Sequence, residues 1–344
     1  MALTLAAEWH QQSAVLLTWP HKETDWLPWL NQIEQVYIDI VKAISQHQVT
    51  VIACHDIDLQ HHIHLMLQNA GIDTATIRTF VAPCNDTWAR DHGPITLVDE
   101  QGETCILDFT FNAWGSKYRC DLDNLITTHF IQQPFCQLQS YQNVDLVLEG
   151  GSIESDGNGT IMTTETCLLN PNRNNGLDKQ ALEDALKEVL GAKQVVWLKH
   201  GHLPGDDTDA HIDTLARFCP NGIVYVTCDN ETDPSYQALK AMEQELAEFK
   251  KVTGTAYKLY PLPSPDTILN KNGEPLPATY ANYLIINEAV LVPVYGVEQD
   301  ELALKVVGDA YPNRKIVPIN CRTVIEQFGS LHCLTMQLPC GLIK

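Results

Sequence analysis

One short stretch of the sequence concentrates side chains that could bind a metal ion or a cation. In GDDTDAHIDT, residues 205–214, aspartates stand on both sides of His211. Asp209, His211 and Asp213 occupy alternate positions, so they would share one face if the segment were extended. Two kinds of site fit this pattern. One is a metal centre with carboxylate and imidazole ligands, and the other is a pocket that grips a cationic substrate while a nucleophile from elsewhere attacks it.

The hypothesis of a metal centre rests on DAHID. This stretch resembles the DAHxD element of the manganese-dependent ureohydrolases, which release urea. A binuclear manganese site needs further carboxylate and histidine ligands from other strands. The expected partner stretches, of the types GGDHS and SxDxDxxDP, are absent, and EGGS at 149–152 lacks the aspartate and the histidine. We therefore expect no metal ion and no other cofactor, and keep the ureohydrolase as the alternative from a different class.

A candidate nucleophile lies near the C-terminal end, in GSLHCLTMQ. Most of the eleven cysteines sit in apolar runs, where a buried unreactive thiol is the usual outcome. Cys333 differs because the repeat of the chain, described below, places it in the same axial position as the loops of His211 and Asp91, and a thiolate is the strongest side-chain nucleophile near neutral pH. On a strand His332 would point to the opposite face. The distant His211 is therefore the better candidate base.

Two more polar stretches could help to bind a planar cation. In NDTWARDHGP, Asp91 could accept paired hydrogen bonds from a guanidinium while Trp88 offers a flat aromatic face. In DLVLEGGSIE, Glu149 ends an apolar strand before two glycines, which permit close backbone approach. A carboxylate there requires a partner, and His211 is the natural candidate.

The composition limits the classes of partner. The 344 residues contain 43 acidic and 22 basic side chains, a formal net charge of −21. This balance argues against nucleic acid and anionic membranes as partners and favours cations. No stretch is long and apolar enough to span a bilayer, and the N-terminus lacks the features of a signal peptide. We expect a reduced cytoplasmic protein, and a homo-oligomer is compatible with the sequence.

The elements that must position these residues recur along the chain. Amphipathic helical patterns occur near residues 57–70, 121–132, 177–190, 234–250 and 298–309, and each is followed by a strand-like run. The runs begin near residues 77, 136, 193, 255 and 315. Hairpins are expected to turn near Gln101-Gly102 and at residues 156–159, while an earlier helix and strand open or close the series. The spacing of roughly 60 residues predicts an α/β fold of five strand-rich units, each with one main helix, around an axis. With no linker in the sequence, we expect residues 1–344 to form a single domain.

Loops on one side of such a ring would converge on its axis. Four of the five candidate loops carry a carboxylate, a histidine or a cysteine: NDTWARDHGP, LEGGS, GDDTDAHID and GSLHCLTMQ. The fifth, ANYLIINE, is the plainest. The sequence therefore predicts one central site to which four loops contribute chemistry.

Taken in order, the motifs AEWHQQSAVLLTWPH, NDTWARDHGP, FNAWGSKY, LEGGSIE, TDAHIDT and LHCLTMQ resemble the agmatine deiminase and bacterial peptidylarginine deiminase family. The resemblance extends from Trp9 to Gln337. It implies the fivefold pseudosymmetric α/β-propeller (pentein) fold of the guanidine-modifying superfamily, with the active site at its centre. It also implies hydrolysis of a small cationic guanidine, foremost agmatine to N-carbamoylputrescine and ammonia, through a covalent cysteine thiouronium. Such a reaction belongs to polyamine biosynthesis.

The resemblance also implies roles for particular residues. Cys333 would be the nucleophile and His211 the general acid and base, steadied by Glu149. The carboxylates that bracket the guanidinium would be Asp91 and Asp213. Secondary contacts would come from Asp207, Trp88 and Trp114. The resemblance assigns no role to Asp206 and Asp209, which we expect to be solvated bystanders.

Two positions depart from the family pattern and leave the substrate open. Ala210 stands where the family usually has glycine, and Gly329-Ser330-Leu331 replaces a GGGNIHC-like run beside the cysteine. Arginine or peptidylarginine is therefore an alternative substrate, which would need a cationic anchor such as Lys117, Arg119 or Arg173. A binder of polyamine-like cations without catalysis is a further alternative.

Overall fold

The computed structural model describes residues 3–344, and the strands in this range form five separate sheets. Seventeen strands are numbered here in chain order: β1 Thr4–Leu5, β2 Gln12–Thr18, β3 Val49–Cys54, β4 Ile77–Val81, β5 Ile95–Val98, β6 Thr104–Thr110, β7 Ser140–Val147, β8 Glu154–Ser155, β9 Thr160–Thr164, β10 Gln194–Leu198, β11 Ala216–Cys219, β12 Gly222–Thr227, β13 Lys258–Pro263, β14 Leu284–Ile286, β15 Ala289–Val294, β16 Lys315–Asn320 and β17 Thr335–Pro339.

The helices alternate with these strands, and the long ones cover the sheets. They are α1 Leu30–Ile44, α2 Ile57–Asn69, α3 Ala89–His92, α4 Ala113–Ser116, α5 Ile126–Ile131, α6 Glu165–Leu168, α7 Lys179–Leu190, α8 Tyr236–Glu248 and α9 Asp300–Ala310. Helix α7 shows how sequence specifies such an element: the Asp178 side chain caps its first turn, and Gly191 ends it in the left-handed conformation. Its leucines at 182, 186 and 190 are buried.

The same connection recurs in each sheet. An antiparallel pair is followed by a helical crossover to a parallel strand, as in β8-β9-β10, β11-β12-β13 and β14-β15-β16. The sheet β1-β5-β6-β7 adds a strand at its edge. In the sheet β17-β2-β3-β4 the last strand of the chain pairs antiparallel with β2, so both ends of the chain meet in one unit. The prediction of an α/β fold with five strand-rich units is confirmed.

The predicted elements differ from the observed ones mainly at their ends. The long helix expected near 121–132 is a 3-10 turn at Asp123–Leu125 followed by the short α5. The strand expected from Cys136 begins at Ser140, because the preceding segment bridges Ile343 instead. The two hairpins turn where predicted, with Gly102, Gly157 and Gly159 at positive φ. Over residues 3–344, each helix is too short or too polar to cross a membrane.

Candidate functional site

Cys333 lies in the middle of a buried turn that leads into β17. The turn is a 3-10 helix over His332–Leu334, and the cysteine side chain reaches the wall of a cavity of about 190 Å³. Its thiol donates a hydrogen bond to Asn282 Oδ1 at 3.3 Å, and its Sγ lies 4.0 Å from Asp213 Oδ2. Burial, followed by the negative charges of Asp213 and Asp91, raises the pKa of this thiol well above its ordinary value. In the free protein Cys333 is therefore a neutral thiol at neutral pH.

Asn282 is a site residue that the sequence analysis missed. It belongs to ANYLIINE, the loop that the sequence marks as the plainest, and it is fully buried. Its side-chain oxygen accepts hydrogen bonds from the backbone N–H groups of His332 at 2.9 Å and Cys333 at 3.2 Å. Its amide nitrogen contacts the Asp213 carbonyl oxygen at 3.3 Å. All five loops thus reach the site, and Asn282 holds the cysteine turn in place.

His211, Asp91 and Asp213 meet around Gly151. A Cβ added to this glycine would lie 2.7 Å from His211 Nδ1, 2.8 Å from Asp91 Oδ1 and 3.1 Å from Asp213 Oδ2. The Gly151 N–H donates a hydrogen bond to Asp91 Oδ1 at 3.0 Å. The glycine pair after Glu149 therefore permits the close approach that the sequence analysis expected of it.

Several buried polar atoms at this centre have no hydrogen-bond partner among residues 3–344. They are His211 Nδ1, His211 Nε2 and Asp213 Oδ1. Leaving a buried donor or acceptor unpaired costs about 1–3 kcal/mol. A planar ligand with several N–H donors would satisfy the carboxylate oxygen, so these atoms indicate where a ligand binds.

His332 points away from the cavity, as the sequence analysis expected, and contacts Asp213. Its Nδ1 donates to Asp213 Oδ2 at 2.8 Å, and its Nε2 faces Glu8 Oε1 at 2.8 Å and Arg217 Nη2 at 3.0 Å. Burial is the largest single effect and would raise the pKa of the Asp213 carboxyl, but the hydrogen bond from His332 together with the charge interactions with His332, His211 and Arg217 lowers the pKa below its ordinary value. Asp213 is therefore ionised at neutral pH. Glu8, which lies in the motif AEWHQQSAVLLTWPH without an assigned role, and Arg217, which lies outside the motifs, complete this buried network.

Asp91 is held by Trp114 from a strained segment. The Trp114 indole N–H donates to Asp91 Oδ2 at 3.0 Å. Ala113, Trp114, Gly115 and Ser116 all have φ between +51° and +87°. Left-handed backbone costs roughly 1–2 kcal/mol per residue outside glycine, so the conformation that orients this indole lowers the stability of the fold. Burial raises the pKa of Asp91 to about 6.

Glu149 lies beside His211 but takes a different principal partner. Its Oε2 is 4.0 Å from His211 Nε2, beyond a hydrogen bond, while both of its oxygens accept from Arg173 Nε at 2.9 and 3.0 Å. Glu149 therefore lies at ion-pair distance from His211 while its hydrogen bonds go to Arg173, and the expectation that it steadies His211 stays a prediction. Arg173, considered from the sequence as an anchor for a substrate carboxylate, is instead consumed by this buried ion pair.

The cavity beside Cys333 is lined by aromatic and acidic side chains. Trp88, Trp114 and Asp91 line it as the sequence analysis expected, together with Asp207. The remaining lining residues are Asp25, Asp86, Tyr118, Thr208, Gln327, Phe328 and Gly329. Burial raises the pKa of Asp86 to about 6. Four carboxylates and no lysine, arginine or histidine line this cavity within the described range, so it suits a cation that has no negative group.

The other aspartates of the opening stretch hold its loop. Asp207 accepts from Tyr118 Oη at 2.8 Å and from Lys117 Nζ at 3.2 Å. Asp209 Oδ2 accepts from Arg173 Nη1 at 2.7 Å, and Asp206 accepts from the backbone N–H of Ala210 at 2.6 Å. The expectation that Asp206 and Asp209 are solvated bystanders is therefore wrong. The segment is also not extended, since residues 209 and 210 have positive φ, so the three DAHID side chains do not share one face.

The two departures from the family pattern have visible physical consequences. Ala210 adopts φ +62°, the left-handed conformation that favours glycine, and its carbonyl accepts from Thr164 Oγ1 at 2.8 Å. At Gly329 an added Cβ would lie 2.1 Å from the Trp88 ring. Gly329 therefore lets Trp88 approach the cysteine loop, and Ala210 is held in a strained conformation by hydrogen bonds.

Two clusters with metal-ligating side chains adjoin the centre, and each contains an arginine. Glu149, Cys167 and His211 lie close together, but Arg173 occupies the carboxylate. Glu8, Glu154 and His332 surround Arg217, which ion-pairs with both glutamates. The carboxylates of both clusters are already paired with an arginine, Arg173 or Arg217, so the clusters do not fit a divalent cation.

Comparison with known proteins shows which family the chain resembles over nearly its whole length. The family model described as Porphyromonas-type peptidyl-arginine deiminase matches residues 4–339. A Legionella pneumophila (strain Paris) protein named "Putative agmatine deiminase" is 33% identical over 97% of this chain and 95% of its own length. A structure described as "Putative Arginine Deiminase from Porphyromonas gingivalis" is 44% identical with a TM-score of 0.91 and full coverage of both chains. A C. jejuni agmatine deiminase, a cysteine-to-serine variant with substrate bound, is 38% identical with a TM-score of 0.91 over 99% of this chain and 97% of its own.

Proposed function

The chain belongs to the Porphyromonas-type peptidyl-arginine deiminase family and is an enzyme that hydrolyses C–N bonds of guanidines, and we propose that its substrate is agmatine. The products would be N-carbamoylputrescine and ammonia. The observation that carries this proposal is the cavity at Cys333, which four carboxylates line and no basic side chain of the described range enters. Agmatine carries two cationic groups and no carboxylate, so its charge complements this wall.

The guanidinium would lie between Asp91 and Asp213, with its carbon facing Cys333 Sγ. Each carboxylate accepts N–H groups from one edge of the planar cation, which fixes its orientation. Asp213 Oδ1 is buried without a partner and would gain one. Asp91 keeps its indole donor from Trp114, and Asp213 keeps its donor from His332, so both carboxylates are held before substrate arrives. The loops that carry Asp91, Asp213 and Cys333 would thus fix the plane in which the guanidinium lies.

The first chemical step would be attack of the Cys333 thiolate on the guanidinium carbon. Because the thiol pKa of the free protein is raised, the thiolate would form when the cationic substrate enters, since an opposite charge nearby favours the charged form, and the thiol proton would pass to solvent. A C–S bond forms and gives a tetrahedral adduct. His211 then gives its proton to one nitrogen, the C–N bond breaks, and ammonia leaves. An S-alkylthiouronium remains on the cysteine.

The second step would hydrolyse this intermediate. His211, now neutral, accepts a proton from water, and the resulting hydroxide adds to the thiouronium carbon. The C–S bond breaks and the proton of the added hydroxyl group passes to solvent, which returns the cysteine thiolate and releases the neutral ureido product. His211 ends the cycle protonated as it began. Its neighbours Asp91 Oδ1, at 3.7 Å from Nδ1, and Glu149 Oε2, at 4.0 Å from Nε2, stabilise that cation.

Arginine fits the cavity less well than agmatine because its carboxylate would meet Asp25, Asp86 or Asp207. The three basic residues that could have anchored it are engaged elsewhere. Arg173 is bound to Glu149, Lys117 to Asp207 and Asp209, and Arg119 to Asp121 on the surface. The contribution of Asp207, Trp88 and Trp114 would be to surround the aliphatic part and the distal amine of agmatine.

For the fold we infer that the five units close into a propeller around this site. The support is that one loop from each of the five units reaches it, and that β17 joins the end of the chain to β2 in the first unit. A ring is the simplest arrangement in which five consecutive units all contribute to one centre.

One assay tests the proposed activity against its competitors. The protein is incubated with agmatine or arginine, with and without a chelator, and ammonia and urea are quantified. We expect ammonia from agmatine, unaffected by the chelator, and little turnover of arginine. Cys333→Ser should reduce turnover to background, whereas Cys54→Ser, at another buried cysteine outside the site, should keep it. Urea that disappears with the chelator, or full activity of Cys333→Ser, would contradict the mechanism, and turnover of arginine alone would contradict only the substrate.

A further inference from the structure

A third cluster of potential metal ligands lies away from the catalytic centre and contains no arginine. It consists of His21, which follows β2, His55, which follows β3, and Cys84, which follows β4. These are three adjacent strands of one sheet, so their ends bring the three side chains together. His21 and Cys84 are buried, and His55 is partly buried.

The distances between the candidate ligand atoms match a tetrahedral thiolate and imidazole site. Cys84 Sγ lies 3.5 Å from His21 Nε2 and 3.9 Å from His55 Nδ1. With zinc–sulfur bonds of about 2.3 Å and zinc–nitrogen bonds of about 2.0–2.1 Å, tetrahedral geometry separates sulfur and nitrogen by roughly 3.6 Å. The two imidazole rings are stacked, with centroids 4.0 Å apart. Both sulfur–nitrogen distances thus lie close to the tetrahedral value, and all three ligand atoms lie within 4.8 Å of one another.

The surroundings also suit a metal ion. Glu23 Oε2 lies 4.0 Å from His55 Nε2, where a carboxylate can orient a histidine that coordinates through its other nitrogen. The cluster opens into a cavity of about 290 Å³ that leaves room for a water ligand. This second cavity shares Asp25, Asp86, Trp114 and Tyr118 with the cavity at Cys333. Coordination by His55 Nδ1 would replace the hydrogen bond that this atom accepts from the Cys84 N–H.

We propose that His21, His55 and Cys84 form a binding site for a thiophilic divalent cation, of which Zn²⁺ is the expected one. The soft thiolate and the two imidazoles select such an ion over Mg²⁺ or Ca²⁺, which prefer oxygen ligands. Binding displaces the thiol proton of Cys84 to solvent. The site is separate from the proposed deiminase chemistry and does not depend on it.

Co²⁺ titration of the full chain tests the site, because cobalt bound to thiolate gives a charge-transfer absorption. The experiment uses Cys333→Ser protein, so that the cysteine at the catalytic cavity cannot contribute the signal. We expect one equivalent of Co²⁺ to produce the absorption and Zn²⁺ to displace it. Cys84→Ser in the same background should abolish the band, while Cys54→Ser should retain it.

The histidines supply a second measurement in case Cys84→Ser fails to fold. His21→Ala and His55→Ala should each weaken Co²⁺ binding by at least roughly 10- to 100-fold. That is the loss caused by removing a residue that only orients a metal ligand, and removing the ligand itself should cost no less. His64→Ala, at a histidine on α2 outside the cluster, is the matched control and should bind as the parent does. Absence of the band in the parent, its persistence in Cys84→Ser, or unchanged affinity in both histidine variants would overturn the proposal.

Discussion

His332 Nδ1 donates a hydrogen bond to Asp213 Oδ2 at 2.8 Å, in a region where both side chains are fully buried. The residue next to the proposed nucleophile in sequence thus serves a carboxylate of the substrate site, through a side chain directed away from the cysteine. This relationship makes His332 a positioning residue.

Replacing His332 should therefore weaken substrate binding more than it slows the chemical step. His332→Leu removes the donor to Asp213, and we expect a KM for agmatine at least tenfold higher with a smaller fall in kcat, as measured by steady-state ammonia release. His332→Asn can place an amide N–H near the position of Nδ1 and should recover part of the loss. An unchanged KM in the leucine variant, with the protein folded, would remove His332 from the binding of substrate.

Gly151→Ala should inactivate the enzyme without unfolding it. The new methyl group would lie within about 3 Å of His211, Asp91 and Asp213, and misplacing catalytic groups by about 1 Å can cost roughly 100-fold in rate. Gly308→Ala is the matched control, since its Cβ would meet its nearest neighbour at 3.6 Å within helix α9. We expect a fall in kcat/KM of about 100-fold for Gly151→Ala and none for Gly308→Ala. Equal activity of the two variants would show that the centre tolerates the methyl group.

Agmatine binding should weaken in acid because of Asp91. Its pKa is raised to about 6 by burial, so the carboxyl is charged above that pH and neutral below it. Calorimetric titration of Cys333→Ser protein should give a Kd that is constant above pH 6 and rises by up to about tenfold per pH unit below it. Asp91→Asn should bind weakly and lose much of this dependence, the remainder coming from Asp86, whose pKa is also about 6. A Kd that is flat through this range would contradict the assigned role of Asp91.

Cys333 should react faster with a cationic alkylating agent than with a neutral one of the same shape. Chloroacetamidine brings the positive charge that favours the thiolate, while chloroacetamide does not, and a charge at this distance shifts a pKa by roughly 1–3 units. Mass spectrometry should show at least tenfold faster modification of Cys333 by the amidine. The exposed Cys340 in the same molecule is an internal control and should show far less discrimination. Equal rates at Cys333 would rule out thiolate formation assisted by substrate charge.

Ala210→Gly should stabilise the protein because the native φ is +62°. Relief of left-handed strain is worth about 1–2 kcal/mol, and the added freedom of glycine in the unfolded chain offsets part of it. We expect the free energy of unfolding in urea to rise by up to about 1 kcal/mol with activity retained. Ala185→Gly within helix α7 should lower it by about 1 kcal/mol. A loss of stability in both variants would show that Ala210 is not strained.

The structure brings together residues that the sequence predicted for the site, but several of their partners differ from those expected. Cys333, His211, Asp91 and Asp213 were predicted because their residue types, spacing and motif order are specific, and the structure brings them together. Asn282 was missed because a single asparagine in an apolar run has no chemical signature. The pairing of Glu149 with Arg173 was missed because the two residues are far apart in sequence and meet only when Arg173 is buried.

The sequence by itself determined the α/β units, their number and the loops that carry reactive side chains, since hydrophobic periodicity and turn residues act locally. Only the tertiary structure decided how these side chains point. In the tertiary structure His332 contacts Asp213, and Asp209 contacts Arg173. Gly151 lies where His211, Asp91 and Asp213 meet. These outcomes depend on which buried charges find partners across distant segments, because a buried unpaired charge is costly and local sequence does not reveal which partner will relieve it.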